Sequence, residues 1–133
     1  MVEMKWTQLM EANPKREYVA FSEIAERKSA WPYFSWLMRA RKIAKQLETA
    51  KGVIGYTARL EFLGKKGVMV AVFEDEKALA GFAHAGQHEQ CMKQLKETAK
   101  FQRAKWNISG SAVPLKIDDA INKVQNSRGG ERA

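Results

Sequence analysis

The chain's two histidines and its one cysteine fall within a single short segment, at His84, His88 and Cys91. The four-residue spacing of the histidines is that of two metal ligands on one helix. Gly86 stands between them, however, and the two side chains project in different directions when the segment is drawn as a helix. No HExxH pattern is present. We therefore expect this segment to bind no metal ion.

His88 is the strongest candidate for a functional side chain. The helical period places it on an apolar face, together with Cys91, Met92, Leu95 and Ala99. Close to a helix N-terminus its imidazole is favoured in the neutral form, which can act as a base or as a ligand. Two interpretations stay open: a catalytic or cofactor-binding histidine, or a core histidine bonded to the backbone or to water. Cys91 has no clear activating base, so we expect a buried, inert thiol.

A second candidate group consists of polar side chains on two predicted strands. In residues 53–63, Ile54 and Tyr56 are expected to face one way and Thr57 and Arg59 the other. Lys105 and Asn107 alternate with apolar residues on a later strand. A cation with hydrogen-bond donors in a cavity suits an anionic or quinone-like ligand. The same four polar residues are also compatible with ordinary solvent-facing positions, and this alternative stays open.

The elements that must position these groups follow from the hydrophobic pattern. Gly-Lys-Lys-Gly at 64–67 predicts a tight hairpin, and Asp75 is a helix-start signal. The predicted elements are, in order, strand 18–25, a helix from Ser29 to about residue 50 closed by Gly52, strand 53–63, strand 68–74, a helix capped by Asp75, a helical stretch 87–100, strand 103–109 and an amphipathic piece 117–124.

Right-handed crossovers arrange these elements as an α+β, ferredoxin-like fold, with a four-stranded antiparallel sheet and both helices on one face. Residues 68–73 are apolar on both faces of their strand, so the second face of the sheet should also be covered. The economical cover is a homodimer in which two sheets close face to face around an inter-sheet cavity. A covering C-terminal segment is the alternative. We place the domain at 18–110, after an N-terminal lead-in at 1–17 and before a C-terminal extension and flexible tail at 111–133.

The 133-residue chain has a formal net charge of +8, which raises the question of an anionic partner. Acidic residues are interspersed among the basic ones and no nucleic-acid-binding signature accompanies them, so we expect no nucleic-acid partner. No apolar run approaches the roughly 20 residues of a membrane span. A lone cysteine allows no intrachain disulfide and suits a cytoplasmic location.

The stretch GVIGYTARLEF, followed by VMVAVFEDEKALAGFAHAGQHEQCMKQL, resembles the dimeric α+β barrel superfamily, which includes the antibiotic-biosynthesis-type monooxygenases. Within it the chain is most similar to uncharacterised monooxygenase-like proteins and faintly similar to spheroidene monooxygenase. The resemblance covers residues 18–109 and implies a dimeric α+β barrel. Haem-degrading members carry an asparagine, a tryptophan and a histidine, and Ser22 or Glu23, Phe73 and His88 stand in those places here. Only the histidine matches, which argues against haem degradation.

The residues and the resemblance together favour a monooxygenase-like protein that binds a small apolar ligand, aromatic or isoprenoid-like, in the inter-sheet cavity. His88 is expected to act as haem ligand or proton carrier and Arg59 as polar anchor, with Phe73, Thr57 and Asn107 lining the cavity. Either no cofactor or haem would serve this chemistry. The alternative is a non-catalytic dimeric protein that binds a small ligand or haem, so the sequence leaves open whether the chain is an enzyme.

Overall fold

The computed structural model of the chain describes residues 2–3, 5–27, 33–61, 66–83 and 99–126. The helical stretch expected at 87–100 lies outside these residues, apart from its last two, which belong to a strand. The strands are β1 (Val2–Glu3), β2 (Thr7–Gln8), β3 (Glu17–Arg27), β4 (Val53–Leu60), β5 (Lys66–Phe73) and β6 (Ala99–Ser109). The α-helices are α1 (Tyr33–Thr49), α2 (Glu76–Ala83) and α3 (Ile117–Asn126), and a 3-10 turn spans Gly110–Ala112. Of the helices within those ranges, none is long and apolar enough to cross a membrane.

The strands form one antiparallel sheet in the order β1-β4-β5-β3-β6, with β2 also paired to β4. Its four long strands therefore follow the order second, third, first, fourth, as in a ferredoxin-like fold. This confirms the predicted fold class. The described sheet has two strands more than the four predicted, because the short strands β1 and β2 pair with the outer edge of β4. Backbone N–H and C=O groups at that edge would otherwise lack partners. Part of the predicted lead-in is thus hydrogen-bonded to the sheet.

Helices α1 and α2 lie on one face of the sheet, which we call the helix face. Alternation along the strands brings Val19 and Phe73 to this face, where they pack in one cluster with Leu47 of α1. Leu79 and Phe82 of α2 join the same cluster, as the helical spacing after Asp75 predicts. The cluster joins the first two helices to the two central strands.

The opposite face of the sheet, which we call the α3 face, is covered by the chain's own C-terminal helix. Ile117, Ala120 and Val124 of α3 are buried, and they pack in one cluster with the strand residues Ile24, Val68 and Val70. Helices therefore lie on both faces rather than on one, because residues 117–126 form an amphipathic helix with its apolar side toward the sheet. The covering C-terminal segment, left open as an alternative above, is present. It buries the second face of β5 without a second copy.

A β-bulge in β4 redirects one side chain. The register of β4 against β5 shifts between Val53 and Gly55, which leaves Ile54 as an extra residue. Ile54 accordingly packs in a cluster on the α3 face, whereas Tyr56 packs on the helix face. The prediction that both face the same way was wrong, because an inserted residue breaks the strict alternation. A Cβ on Gly55 would lie 2.5 Å from the Trp6 indole, so glycine is what lets this ring pack against the bulge.

Candidate functional site

A partly buried ion pair lies on the helix face, between a half-buried arginine of β6 and a buried glutamate of the neighbouring strand β3. Glu23 is 8% exposed, and its Oε2 lies 2.5 Å from Nε of Arg103. The strand register places the two residues directly opposite each other, where opposite charges attract across the ladder. The guanidinium also lies over the ring of Phe101, 5.5 Å from its centroid. The sheet therefore holds a cation in a defined position.

The surroundings of this pair are apolar and only partly covered. Met69 lies opposite Glu23 on β5, Phe21 precedes Glu23 by two residues, and both are partly buried against the helix-face cluster. Three further apolar side chains nearer the strand ends are also partly buried: Ala25, Leu60 and Phe101. Because β3 and β5 are central strands, partial exposure here marks a stretch that the described residues of α1 and α2 do not seal.

Strand β6 presents two more predicted site residues to the helix face. Lys105 Nζ lies 2.7 Å from Oε1 of Glu76, at the first turn of α2, and both side chains are well exposed. Asn107 is exposed and lies opposite Val19 of β3. Lys105 and Asn107 therefore continue the row that begins at Arg103, from the buried part of the face toward solvent.

Phe73 also belongs to the helix face, at the end of β5. Its side chain is fully buried, and its ring centroid lies 5.7 Å from that of Phe82 on α2. These contacts make Phe73 a core residue that fixes α2 on the sheet. Its predicted role in lining a ligand cavity is not tested by this packing and stays a prediction.

Thr57 and Arg59, the other half of the predicted group, lie on the α3 face. Thr57 is 4% exposed and lies opposite Val70 of β5. Arg59 Nη1 lies 3.4 Å from Oδ1 of Asp118, in the first turn of α3. The structure thus divides the predicted cavity group between the two faces of the sheet. Arg59 is turned toward the C-terminal helix, and its role as polar anchor stays a prediction.

The two residues at the asparagine position of the haem-degrading proteins also point in opposite directions. Ser22 is fully buried on the α3 side, and its hydroxyl donates a hydrogen bond to the carbonyl oxygen of Met69 at 3.1 Å. Glu23, one residue later, faces the helices. Glu23 is therefore the residue of the two that can contact a ligand on the helix face.

Tyr56 forms a separate polar contact under α1. Its hydroxyl donates a hydrogen bond to Oε2 of Glu48 at 2.6 Å. Burial of the ring, and then the hydrogen bond to Glu48, raise the pKa of Tyr56 to about 12, although a hydrogen bond with Thr7 acts in the opposite direction. A phenol that stays protonated at neutral pH joins α1 to β4 and is a poor proton donor or acceptor for chemistry.

The α3 face contains a cleft of about 270 Å³ near the end of α3. Its floor includes Ile24 and Val124, and its rim includes Glu26 with a lysine on each neighbouring strand, Lys66 and Lys100. The cleft is open and mixed in polarity, and it contains none of the residues predicted from the sequence to bind a ligand.

His84, His88 and Cys91 lie outside the described residues, so the roles predicted for them stay predictions. Within the described ranges, no group of three or more His, Cys, Asp or Glu side chains could hold a metal ion. Because the chain's only histidines and cysteine are elsewhere, the described residues do not supply the expected haem ligand. We therefore assign no step to haem.

The Glu23–Arg103 pair was missed in the sequence as a candidate site. One part of the pair could have been found in the sequence. Glu23 follows Val19 and Phe21 at intervals of two residues, so on a strand its carboxylate lies on the same face as these apolar side chains. Its partner was not readable, since only the register between β3 and β6 brings Arg103 opposite a residue 80 positions earlier.

The sequence matches no protein-family model and no curated protein sequence. Its fold is similar to that of SnoaB, a cofactor-independent oxygenase from Streptomyces nogalater, with a TM-score of 0.60 and 14% identity over 74% of this chain and 99% of that one. It is also similar to a protein of Fusobacterium nucleatum that carries a provisional monooxygenase name, with a TM-score of 0.62 and 13% identity over 77% of this chain. The match spans 48% of the length of the Fusobacterium protein.

A conserved protein of unknown function from Bacteroides thetaiotaomicron, described as a possible oxidoreductase, aligns with a TM-score of 0.61 and 11% identity over 70% of this chain and 99% of that one. At such identities a structural likeness establishes the fold and leaves the chemistry to the residues of the site. The resemblance to the α+β barrel proteins is confirmed at that level, and the chain has the monooxygenase-like α+β fold.

Proposed function

We propose that the protein is monooxygenase-like in activity as well as in fold, and that it binds a small apolar, quinone-like molecule on the helix face. The observation that carries this proposal is the ion pair between the buried Glu23 and the half-buried Arg103. It adds a fixed charge to an apolar, partly covered surface formed by Phe21, Met69 and Phe101. This ligand position differs from the inter-sheet cavity expected from the sequence, because α3 packs on the opposite face.

In this proposal Arg103 is the polar anchor for a ligand oxygen. The ion pair itself contributes little net stability, because burying the Glu23 carboxylate costs hydration energy that offsets its attraction to the half-exposed guanidinium. It does place a guanidinium where the oxygen of an apolar ligand would otherwise find no hydrogen-bond donor. Glu23 holds the guanidinium in orientation through its bond to Nε.

An oxygenase that uses no cofactor takes its electrons from the substrate. A methylene group activated by a carbonyl and by aromatic rings can lose a proton, which leaves an anion with its charge on the carbonyl oxygen. Addition of dioxygen to the carbon gives a peroxide, the proton returns to it, and loss of water with the second hydrogen leaves a ketone. One methylene group and one dioxygen molecule thus give one ketone and one water. Arg103 stabilises the anionic oxygen, and Glu23 accepts the proton and returns it to the peroxide.

The test follows oxygen uptake with anthrone, an apolar molecule that has such a methylene group, after subtraction of its spontaneous oxidation. Arg103→Gln removes the charge on the helix face. Arg16→Gln is the matched control, since Arg16 also pairs with a glutamate, Glu74, but at an exposed position. We expect Arg103→Gln to lower the rate about 10²- to 10³-fold, as for the loss of one oxyanion-stabilising donor, and Arg16→Gln to leave it unchanged.

Equal rates in the two variants would overturn the role of Arg103. Binding of anthraquinone, the reaction product, without any oxygen uptake by the unmodified chain would identify a non-catalytic small-ligand protein, the second function predicted from the sequence. If neither binding nor uptake is detected, the helix face is not the site for this class of ligand. The predicted homodimer is not required here, since both Glu23 and Arg103 come from one chain.

A further inference from the structure

One buried side-chain oxygen on the inner side of α1 lacks a hydrogen-bond donor. Within the described ranges, Gln46 Oε1 is the buried side-chain polar atom that meets no partner. A buried acceptor that has lost its bonds to water without replacing them destabilises the fold. Such atoms are few in native proteins. The surroundings of Gln46 indicate the kind of donor that it lacks.

The orientation of the Gln46 amide is fixed by a contact with α2. Gln46 Nε2 donates a hydrogen bond to the carbonyl oxygen of Phe82 at 3.3 Å. A carbonyl oxygen can accept only from the amide nitrogen, so turning the amide over would place two acceptors against each other. Oε1 therefore points away from the Phe82 carbonyl oxygen and presents an acceptor to whatever lies beside it.

The hydroxyl groups next to this part of α1 are bonded to other acceptors. Thr49 Oγ1 bonds to the carbonyl oxygens of Lys45 and Gln46, at 3.4 and 3.2 Å. The Tyr56 hydroxyl donates to Glu48 Oε2 at 2.6 Å. Each hydroxyl has a single hydrogen to donate. In this described part of the chain, Thr49 and Tyr56 therefore do not supply the donor for Oε1.

Gln46 and the Arg103 end of the helix face adjoin one apolar cluster. The ring of Phe82, whose carbonyl oxygen Gln46 contacts, packs on Phe73 with ring centroids 5.7 Å apart. Met69, at the Arg103 end, packs against the same cluster. Met69 and Phe73 are four residues apart on β5, a distance of roughly 13 Å. One face therefore has a fixed cation toward one end and a buried acceptor toward the other.

We propose that Gln46 is a specificity-determining residue of the helix face: its Oε1 accepts a hydrogen bond from a hydroxyl or amino group of the ligand, at the end remote from the oxygen bound by Arg103. This inference rests on the function proposed for the helix face. It narrows the ligand class from apolar, quinone-like molecules to those that also carry a hydrogen-bond donor. A ligand without the donor leaves Oε1 buried and unpaired, whereas a ligand with it replaces the bond that burial removed.

The test compares two molecules of similar size, 2-aminoanthraquinone and 2-methylanthraquinone, by equilibrium dialysis at neutral pH. The amino group can donate a hydrogen bond and the methyl group cannot. We expect the unmodified chain to bind the amino compound about 10-fold more tightly. Gln46→Met removes the acceptor while keeping a side chain of similar length, and should bring the ratio of the two affinities to about one. Gln125→Met, the same substitution at an exposed position of α3, is the control and should keep the preference.

Equal affinities of the two compounds for the unmodified chain would overturn the proposal. A preference that persists in Gln46→Met would also overturn it, and would leave Oε1 as the acceptor of a buried water only. Should Gln46→Met lose its native circular dichroism, the comparison on the unmodified chain decides alone.

The role of Gln46 and the function proposed for the helix face fail in different ways. If Arg103→Gln slows anthrone oxidation while both anthraquinones bind equally, only the role of Gln46 is refuted. If neither anthraquinone binds, the ligand site on the helix face is refuted, and the role of Gln46 with it.

Discussion

At the scale of single residues, the position of each polar side chain in the sheet determines which partner it contacts. Arg103 and Arg59 are both strand arginines with a carboxylate partner, but Arg103 meets Glu23 on the helix face and Arg59 meets Asp118 on the other. Their surroundings give them different uses. Arg103 lies among partly exposed apolar side chains, whereas Arg59 contacts an exposed carboxylate in the first turn of the C-terminal helix.

Tyr56 provides a prediction at this scale. Its pKa is raised from an ordinary 10.0 to about 12, so between these values the folded chain keeps a proton that the unfolded chain has lost. The stabilising contribution is complete below about pH 10 and is lost as the pH rises through about 12. We expect Tyr56→Phe to remove this part of the pH dependence of the free energy of unfolding.

At neutral pH the same substitution should lower the free energy of unfolding by about 1 kcal/mol, because it removes one hydrogen bond and leaves Glu48 in contact with water. Urea unfolding at a series of pH values measures both effects, and Glu48→Gln, which keeps the phenol, is the comparison. Parallel pH profiles for Tyr56→Phe and the unmodified chain up to about pH 12 would contradict a raised pKa at Tyr56.

At the scale of elements, the connection between α1 and β4 depends on one glycine. Gly52 has a φ of 81°, in the left-handed region, and a Cβ added to it would lie 2.6 Å from Cβ of Ala78 on α2. The position therefore needs glycine for its backbone and for its space. It lets α1 end, β4 begin and α2 pack nearby within a few residues.

We expect Gly52→Ala to lower the free energy of unfolding by about 2 kcal/mol, from the strained φ together with the contact on Ala78. Gly81→Ala is the matched control: Gly81 lies within α2 and a Cβ there meets nothing within 4 Å. The control should raise stability by roughly 0.5–1 kcal/mol, because alanine loses less backbone entropy in a helix than glycine does. Chemical denaturation of both variants measures the change in the free energy of unfolding. Changes of the same sign in Gly52→Ala and Gly81→Ala would contradict this account of the turn.

At the scale of the whole molecule, the net charge of +8 comes from 23 basic and 15 acidic residues that are interspersed along the sequence. Four of the described cations have carboxylate partners in different parts of the fold: Arg16 with Glu74, Arg59 with Asp118, Arg103 with Glu23 and Lys105 with Glu76. An excess of positive charge gives a general attraction to polyanions.

We therefore expect duplex DNA and single-stranded RNA to bind weakly at low salt and to dissociate as the salt rises from about 50 to about 200 mM, without sequence preference. A gel-shift titration at several salt concentrations measures this. Binding that persists at the upper concentration, or that distinguishes one sequence from another, would show a nucleic-acid surface that neither the sequence nor these ion pairs indicate.

The sequence by itself determined the order and type of the main elements, since alternation with period two and spacing of 3.6 are local properties of the chain. It showed that β5 must be buried on both faces and that Asp75 begins α2, where the Asp75 carboxylate accepts a hydrogen bond from the Ala78 N–H. The sequence also predicted two alternative covers for the second face of the sheet, a homodimer and a C-terminal segment, and did not distinguish between them.

Only the tertiary structure showed that α3 packs on the second face and which polar residues share a face, while the predicted homodimer stays a prediction. The bulge at Ile54, the pairing of Glu23 with Arg103 and the seat of α3 on the sheet all depend on contacts between residues distant in sequence. Such contacts are selected by the summed packing of the whole domain rather than by local propensity. That is why the predicted group of Thr57, Arg59, Phe73 and Asn107 is divided between two faces, whereas the fold that carries it was predicted.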